Sequence, residues 1–279
     1  MEWRGANLDF SHGAILMGIL NVTPDSFSDG GLYQDVEAAV THGIEMEGQG
    51  ASIIDIGAES TRPGSRPVSA VEQIHRAIPV IERLVGKVKI PISIDTTEAE
   101  VALAAIEAGA SIINDITALA SEKMAALAAQ KQVPVILMHM QGTPETMQQA
   151  PVYKNVVADV RDYLLKRAEL AENAGVLHER IILDPGIGFG KTFRHNLQLL
   201  NQLDRLCELD YRILIGTSRK GFLGKITETE KVMERDWATA ASVAMAIAKG
   251  ASIVRVHNVR AMADAVAVAN AVSHPERCD

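Results

Sequence analysis

Eight short runs of apolar, largely β-branched residues recur along the 279-residue chain: AILMGILNV from Ala14, ASIIDIGA from Ala51, PISIDT from Pro91, ASIINDIT from Ala110, VPVILMHM from Val133, RIILDPG from Arg180, RILIGTS from Arg212 and ASIVRVHNV from Ala251. Each stays apolar at successive positions where a strand with one wet face would alternate. Each therefore reads as a strand buried on both sides, the habit of parallel sheets. Between them, residues 35–48, 68–85, 153–174 and 234–249 carry apolar side chains at helical spacing. Strand and helix in alternation call for a parallel sheet covered by helices.

The joints between these units repeat as well. Gly50-Ala51-Ser52-Ile53-Ile54, Gly109-Ala110-Ser111-Ile112-Ile113 and Gly250-Ala251-Ser252-Ile253-Val254 each follow a helical segment. A glycine stands where the helix must stop, and a strand begins at once. Recurrence of one helix-to-strand joint implies a repeated βα unit. The chain is 47% hydrophobic and has no Pro/Gly/Ser-rich linker, so residues 1–279 read as one domain, an α/β fold of the single (β/α)8 TIM-barrel type. A doubly wound open sheet is the competing architecture, but NVTPDSF stands after the first strand where a dinucleotide-binding sheet would carry G-x-G-x-x-G. Residues 1–13 form a short extension, expected to be a small hairpin closing the barrel bottom.

Composition narrows the function. A net charge of −8 and the lack of any dense Lys/Arg run argue against a nucleic-acid partner. Two distant cysteines, Cys207 and Cys278, offer neither a disulfide framework nor a thiolate metal site, and fit a reducing, cytoplasmic setting. No apolar run reaches the roughly 18 residues of a membrane span, and the N-terminus lacks a cleavable signal pattern, so the expectation is a soluble protein without a membrane partner.

In barrels of this kind the chemistry collects at the C-terminal ends of the strands. Those ends carry Asn21, Asp55, Asp95, Asn114 with Asp115, His139, Asp184, the run Ser218-Arg219-Lys220, and Arg255 with His257. Taken singly, each Asp or Asn reads as a helix cap or turn residue. Together they converge on one mouth. Asp95, Asn114 and Asp184 would bring three acceptor-rich side chains to the interior, suited to the in-plane N–H donors of an amino-pyrimidinone heterocycle. The alternative is a structural network with Lys or Arg from neighbouring strands. Arg255 and His257 are two apart and point the same way. Beside Asn21 they make an anion site, with the Asn21 amide oxygen available to a Mg²⁺ held mainly by phosphates. The plainer reading is an Arg255–Asp salt bridge and a satisfied core histidine.

Two loops have the composition of irregular, functional segments over a rigid scaffold. NVTPDSFSDGGLYQD, after the first strand, contains Phe27 and Asp29 and suits a mobile lid; GAESTRPGSRP, after the second, contains Arg62, Pro63 and Arg66. No G-x-S-x-G, H-x-x-x-H or C-x-x-C pattern supplies a nucleophile or a protein-held catalytic metal. Heterocycle acceptors, an anion clamp and a lysine without a covalent catalyst suit a substitution in which diphosphate leaves and binding geometry supplies most of the rate. DPGIGFGKT, from Asp184, imitates a nucleotide-phosphate loop, but Pro185 occupies the place of its first glycine and has no N–H to donate.

The ordered blocks GILNVTPDSFSDGG (Gly18 to Gly31), DIGAESTRPG (Asp55 to Gly64), SIDT (Ser93 to Thr96), IINDIT (Ile112 to Thr117), MHMQGTP (Met138 to Pro144), DPGIGFGKT, GTSRKGFLG (Gly216 to Gly224) and RVHNV (Arg255 to Val259) closely resemble those of the dihydropteroate synthase family, from about Ile15 to Val272. The resemblance implies condensation of 6-hydroxymethyl-7,8-dihydropterin diphosphate with 4-aminobenzoate to 7,8-dihydropteroate, a homodimer, and competition by sulfonamide inhibitors. It implies that Asp95, Asn114 and Asp184 hold the pterin, with Lys220 beside it and Met138 lining the pocket. By the same resemblance Asn21, Arg255 and His257 hold the diphosphate and Mg²⁺, Thr61, Arg62, Pro63, Phe189 and Lys220 shape the aminobenzoate site, and Asp95, Lys220, Arg255 and His257 form the catalytic group. DPGIGFGKT then ends a strand in Asp184, and Gly186, Gly188 and Gly190 serve backbone bends and close ligand approach. One departure stands out: many members have serine after the lysine of SRK, to bind the aminobenzoate carboxylate, and this chain has Gly221. Two other classes share parts of the pattern, pterin-binding methyltransferase barrels, which need no diphosphate set, and non-catalytic pterin-binding proteins.

Overall fold

The computed structural model describes residues 1–3, 6–22, 32–59 and 68–277. After two short strands, β1 (Glu2–Trp3) and β2 (Ala6–Asn7), come the eight expected ones. These are β3 (Ile15–Asn21), β4 (Ile53–Gly57), β5 (Ile92–Asp95), β6 (Ile112–Asp115), β7 (Val135–Met138), β8 (Ile181–Asp184), β9 (Arg212–Ile215) and β10 (Ile253–Val256). β3 to β10 pair in chain order, all parallel, and β10 closes on β3 into a barrel, with Ile253 opposite Ile15 and Arg255 opposite Met17. The continuous apolar runs follow directly, since outward residues lie under helices and inward ones fill the interior.

The lower interior is a compact apolar layer. Ile15, Met17, Ile53, Ile112, Ile136, Ile182, Leu214 and Ile253 pack together around Leu8, which the N-terminal extension inserts from below. β1 and β2 form the expected antiparallel hairpin, and Met1 and Phe10 pack against the same layer. Leu8 N–H donates to Met1 O at 2.8 Å, and the Met1 ammonium returns a 3.0 Å bond to Leu8 O. On β5 the residue level with this layer is polar, Ser93, whose register partners are Asp55 and Ile112.

Helices α1 (Leu32–Gly48), α2 (Ala70–Leu84), α3 (Ala99–Ala108), α4 (Glu122–Lys131), α5 (Val156–Asn173), α6 (Phe193–Asn201), α7 (Asp204–Cys207), α8 (Gly221–Thr227), α9 (Asp236–Ala248) and α10 (Val259–Ser273) cover the outside. α1 begins three residues before its periodic segment, whereas the other three segments begin two or three residues before their helices, and at α2 and α5 capping side chains set the boundary. The Ser69 hydroxyl accepts from Glu72 N–H, and Asn155 Oδ1 accepts from Val157 and Ala158 N–H, so Val68 and Tyr153 stay outside.

The repeated glycine joints are Schellman motifs. Gly50, Gly109 and Gly250 adopt φ of 101°, 114° and 100°. The following alanine N–H reaches back to the carbonyls of Met46, Ala105 and Ala246 at 2.8–3.0 Å. A fourth copy ends α5, where Gly175 has φ 103° and Val176 N–H bonds Ala171 O at 3.0 Å. A short 3-10 turn separates this joint from its strand, which hides the repeat in the sequence.

Gly109→Ala should therefore destabilise by about 1–3 kcal/mol, through positive φ and collision of the new Cβ with Val85 Cγ2 at 2.5 Å. Gly48→Ala, in α1 with nothing within 4 Å of the new Cβ, should instead stabilise by roughly 0.5–1 kcal/mol. Urea midpoints of the two variants test the difference in sign.

Candidate active site

Parallel strands all deliver their C-terminal ends to one mouth, and their register decides which side chains meet there. Asn21, Gly57, Asp95 and Asn114 are consecutive register partners across β3, β4, β5 and β6. Met138 and Asp184 pair across β7 and β8. Asp55 lies one inward position deeper than this row. From β10, Arg255 reaches across to it: Nε donates to Asp55 Oδ2 at 2.6 Å, and Nη2 to Asp95 Oδ2 at 2.8 Å. Nη2 also lies 2.6 Å from Asp55 Oδ2, and Asn114 Nδ2 donates to that same oxygen at 3.1 Å. The two readings of Arg255 left open by the sequence thus coincide, because the residue sits at the mouth and is salt-bridged.

Scarcity of water sets the electrostatics. Burial raises the Asp95 carboxyl to about 7; Arg255 opposes the rise, while Asp55, Asp115 and Glu59 add to it. Asp184 is also raised by burial, against a 2.7 Å bond from Gly186 N–H and the charges of Lys220, Arg255 and Lys191. Burial and the neighbouring Arg255 lower Lys220 to about 8, with Asp184 and Asp95 holding it up. The Lys220 ammonium stands 4.0 Å from the centroid of the Phe189 ring. Met138 and Phe189 belong to a small apolar wall with Ile116, Met147 and Met140.

At the opposite edge, His257 Nδ1 is 2.9 Å from Ser218 Oγ, which also accepts the His257 N–H. Asn21 is half-buried at the end of β3. Arg219, with φ 57°, is gripped by both Asp236 oxygens at 2.7 and 2.9 Å, and Asn258 donates to the same carboxylate. Asp115 faces out and accepts from Thr117 and Leu119 N–H, so it is the turn residue that its position alone suggested. Thr61, Arg62, Pro63, Phe27 and Asp29 lie outside the described residues.

The DPGIGFGKT loop requires one correction. Its glycines, with φ of 64°, 87° and 60°, make the close approaches that were expected toward a ligand, but toward protein. A Cβ on Gly186 would stand 2.0 Å from His139 O, and one on Gly190 2.3 Å from Gln141 O; Gly188 faces the Lys220 chain. Lys191 is buried, and Nζ meets His139 Nδ1 and Phe189 O at 2.9 Å and His139 O at 3.3 Å. Burial and Lys191 lower the His139 imidazole to about 3, and burial lowers Lys191 to about 7. Both residues lock the loop to the end of β7.

Asp55 was read as one of the polar strand ends but given no binding role, and Ile116 and Met147 were not singled out. Asp55 carried a signal, being two residues before the end of its strand and so inward; Met147, on an irregular segment, carried none.

A family model described as pterin binding enzyme matches residues 17–257, and the chain belongs to that family of barrels. Within it, dihydropteroate synthase from Synechocystis is 48% identical over 265 residues, covering 95% of this chain and 92% of the relative. The crystal structure of Xanthomonas albilineans dihydropteroate synthase with 4-aminobenzoic acid is 47% identical, covers 93% of each chain and superposes with a TM-score of 0.88. The Yersinia pestis dihydropteroate synthase in complex with a sulfonamide drug is 40% identical, covers 98% of each chain and gives 0.92. The chain is a member of the dihydropteroate synthase family.

The carboxyl shift has a consequence for stability. With the folded Asp95 raised to about 7 and the unfolded one near 3.8, the native state binds the extra proton between those values. Its contribution therefore falls as pH rises through that window and is flat above it. Asp95→Asn should lessen this decline and leave the ligand-free protein at least as stable as the parent near pH ~7.5, as thermal melts across pH would show.

Proposed function

We propose that the mouth of this barrel carries out the dihydropteroate synthase step of folate biosynthesis, with Asp95, Asn114 and Asp184 holding the pterin edge and the C–O bond to diphosphate breaking before the amine attacks. The observation that carries this assignment of roles is the joining of buried acceptors Asp95 and Asp184 with the cations Lys220 and Arg255 at one mouth. The 6-hydroxymethyl carbon loses diphosphate, which departs with the bonding electrons; the aniline nitrogen then supplies its lone pair to that carbon and sheds a proton. Positive charge that develops on the ring system is stabilised by Asp95 and Asp184, each raised toward neutrality without ligand and drawn to ionise beside a cation. Met138, Ile116 and Phe189 provide an apolar wall against which a flat ring packs.

Diphosphate falls to Arg255, His257 and Asn21. Among the described residues no group of three or more His, Cys, Asp or Glu could hold a metal. The lone amide oxygen of Asn21 suits a hard Mg²⁺ whose other ligands are diphosphate oxygens and water. When bound, the ion neutralises charge on the leaving group. Aminobenzoate falls to Phe189 and Lys220, with Thr61, Arg62 and Pro63 beyond the described residues, and sulfonamides compete there. A homodimer in the cytoplasm completes the reading. α9 and α10 leave Trp237, Met245, Val268 and Val272 exposed, which suits a partner copy, and Ser242, Val243, Ala246 and Ile247 turn inward. No helix among the described residues is long and apolar enough to cross a membrane.

Diphosphate release by purified protein, given the pterin diphosphate and Mg²⁺ with and without 4-aminobenzoate, tests the assignment. Release that depends on aminobenzoate and matches dihydropteroate formed is expected; pterin binding without release would refute it. Arg255→Ala and Lys220→Ala should each lower kcat by about 100-fold or more with circular dichroism unchanged. Gly221→Ser should be accepted, since its new Cβ meets nothing within 4 Å. The added hydroxyl should lower the KM for aminobenzoate by roughly three- to tenfold while the KM for the pterin diphosphate stays put.

A further inference from the structure

The deepest charged group of the site, Asp55, has no place in the binding roles assigned above. It is fully buried, beneath the row that faces a ligand, so no substrate touches it. Its Oδ2 takes both Nε and Nη2 of Arg255 as well as the amide of Asn114, whereas Asp95 meets Arg255 through Nη2 alone. Among the described residues, no hydrogen-bond partner meets Asp55 Oδ1 or its register neighbour Ser93 Oγ. A buried carboxylate left half-satisfied is a poor device for stability, since a partly met polar group costs more than an apolar one in its place.

We infer that Asp55 is a positioning residue for the reaction: as the two-nitrogen salt-bridge partner of Arg255 and the seat of Asn114, it fixes both from beneath and leaves Asp95 free to exchange Arg255 for the pterin. Without Asp55, the salt-bridge partner left to Arg255 among the described residues is Asp95, and the pterin must compete with an arginine for its own acceptor. The inference rests on the pterin reading of the row above.

The charged groups whose fields reach Asp95 are Arg255 from β10, Asp55 and Glu59 from β4 and the loop after it, the outward Asp115 of β6, and Lys220 before α8. Of the like charges, Asp55 acts on it most strongly. Taking that charge away must make Asp95 more acidic, an effect that a residue of purely structural importance would not produce.

The experiment uses the full chain with Asp55→Asn and Asp55→Ser, both of which remove the charge and differ in volume. The parent is first shown to release diphosphate in the presence of aminobenzoate; failure there defeats the synthase reading and with it a positioning role in that reaction, an outcome separate from those of the variants. Binding of 6-hydroxymethyl-7,8-dihydropterin, which lacks the titrating diphosphate, is then followed by calorimetry from about pH 5 to 9. In both variants the acid limb should move down by about half a pH unit or more. At neutral pH the KM for the pterin diphosphate should rise about tenfold, with kcat and the KM for aminobenzoate changed less than about threefold. A limb that stays where the parent has it, in a folded variant, overturns the inference. So does a proportionate loss toward both substrates, or failure of both variants to fold, since either outcome makes Asp55 a residue of stability alone.

Discussion

Charged groups at the mouth of this barrel are held with little water around them, and the upper half of the molecule depends on how they answer that condition. Asp55, Asp95 and Asp184 would each be costly alone, and Arg255 and Lys220 equally so. Closure of parallel strands brings Arg255 within reach of all three carboxylates, and Lys220 within reach of Asp95 and Asp184. Mutual neutralisation is incomplete by geometry: Asp55 holds Arg255 at two nitrogens, while Asp95 and Asp184 remain raised and Lys220 lowered. A site poised in this way gains from any ligand that brings donors to the carboxylates and negative charge to the cations.

Rigidity around the charges comes from a different source. The loop after β8 lies so close to the end of β7 that backbone touches backbone, which only glycine permits at Gly186 and Gly190. Lys191 then binds that contact from inside, and Tyr153 OH donates to Gly190 O at 2.7 Å. Phe189 is presented from this clasp to the Lys220 ammonium. The lysine that resembles a phosphate-loop catalyst is a fastener, and its three oxygen and nitrogen partners all belong to the protein.

All eight barrel strands were legible because burial on both faces writes an unbroken apolar run, and the strand-end positions of Asp95, Asn114 and Asp184 then marked the mouth. Helix boundaries were less legible, since Ser69 and Asn155 set them by capping while apolar periodicity runs past them. The pairing of Arg255 was visible only as two alternatives, for spacing along one strand cannot say which carboxylate lies across a barrel. Asp55 was visible as an inward strand position, but what holds it, and what holds Lys191, was opaque in another way. Their surroundings come from β10 and β6 in one case and from β7 in the other, so nothing adjacent in the chain reports them. Phe189 was legible as part of a motif, but the Met147 beside it was not.

The seat of Leu8 among the eight interior side chains of the lower layer settles how traffic must run. Among the described residues the barrel has one doorway, at the strand ends, and what enters there must leave there. Two guests of such a chamber form a stack. On the roles proposed above, a guest seated deeper, against Asp95 and Asn114, would have to arrive before one resting nearer the rim, and would depart only joined to that neighbour or after it.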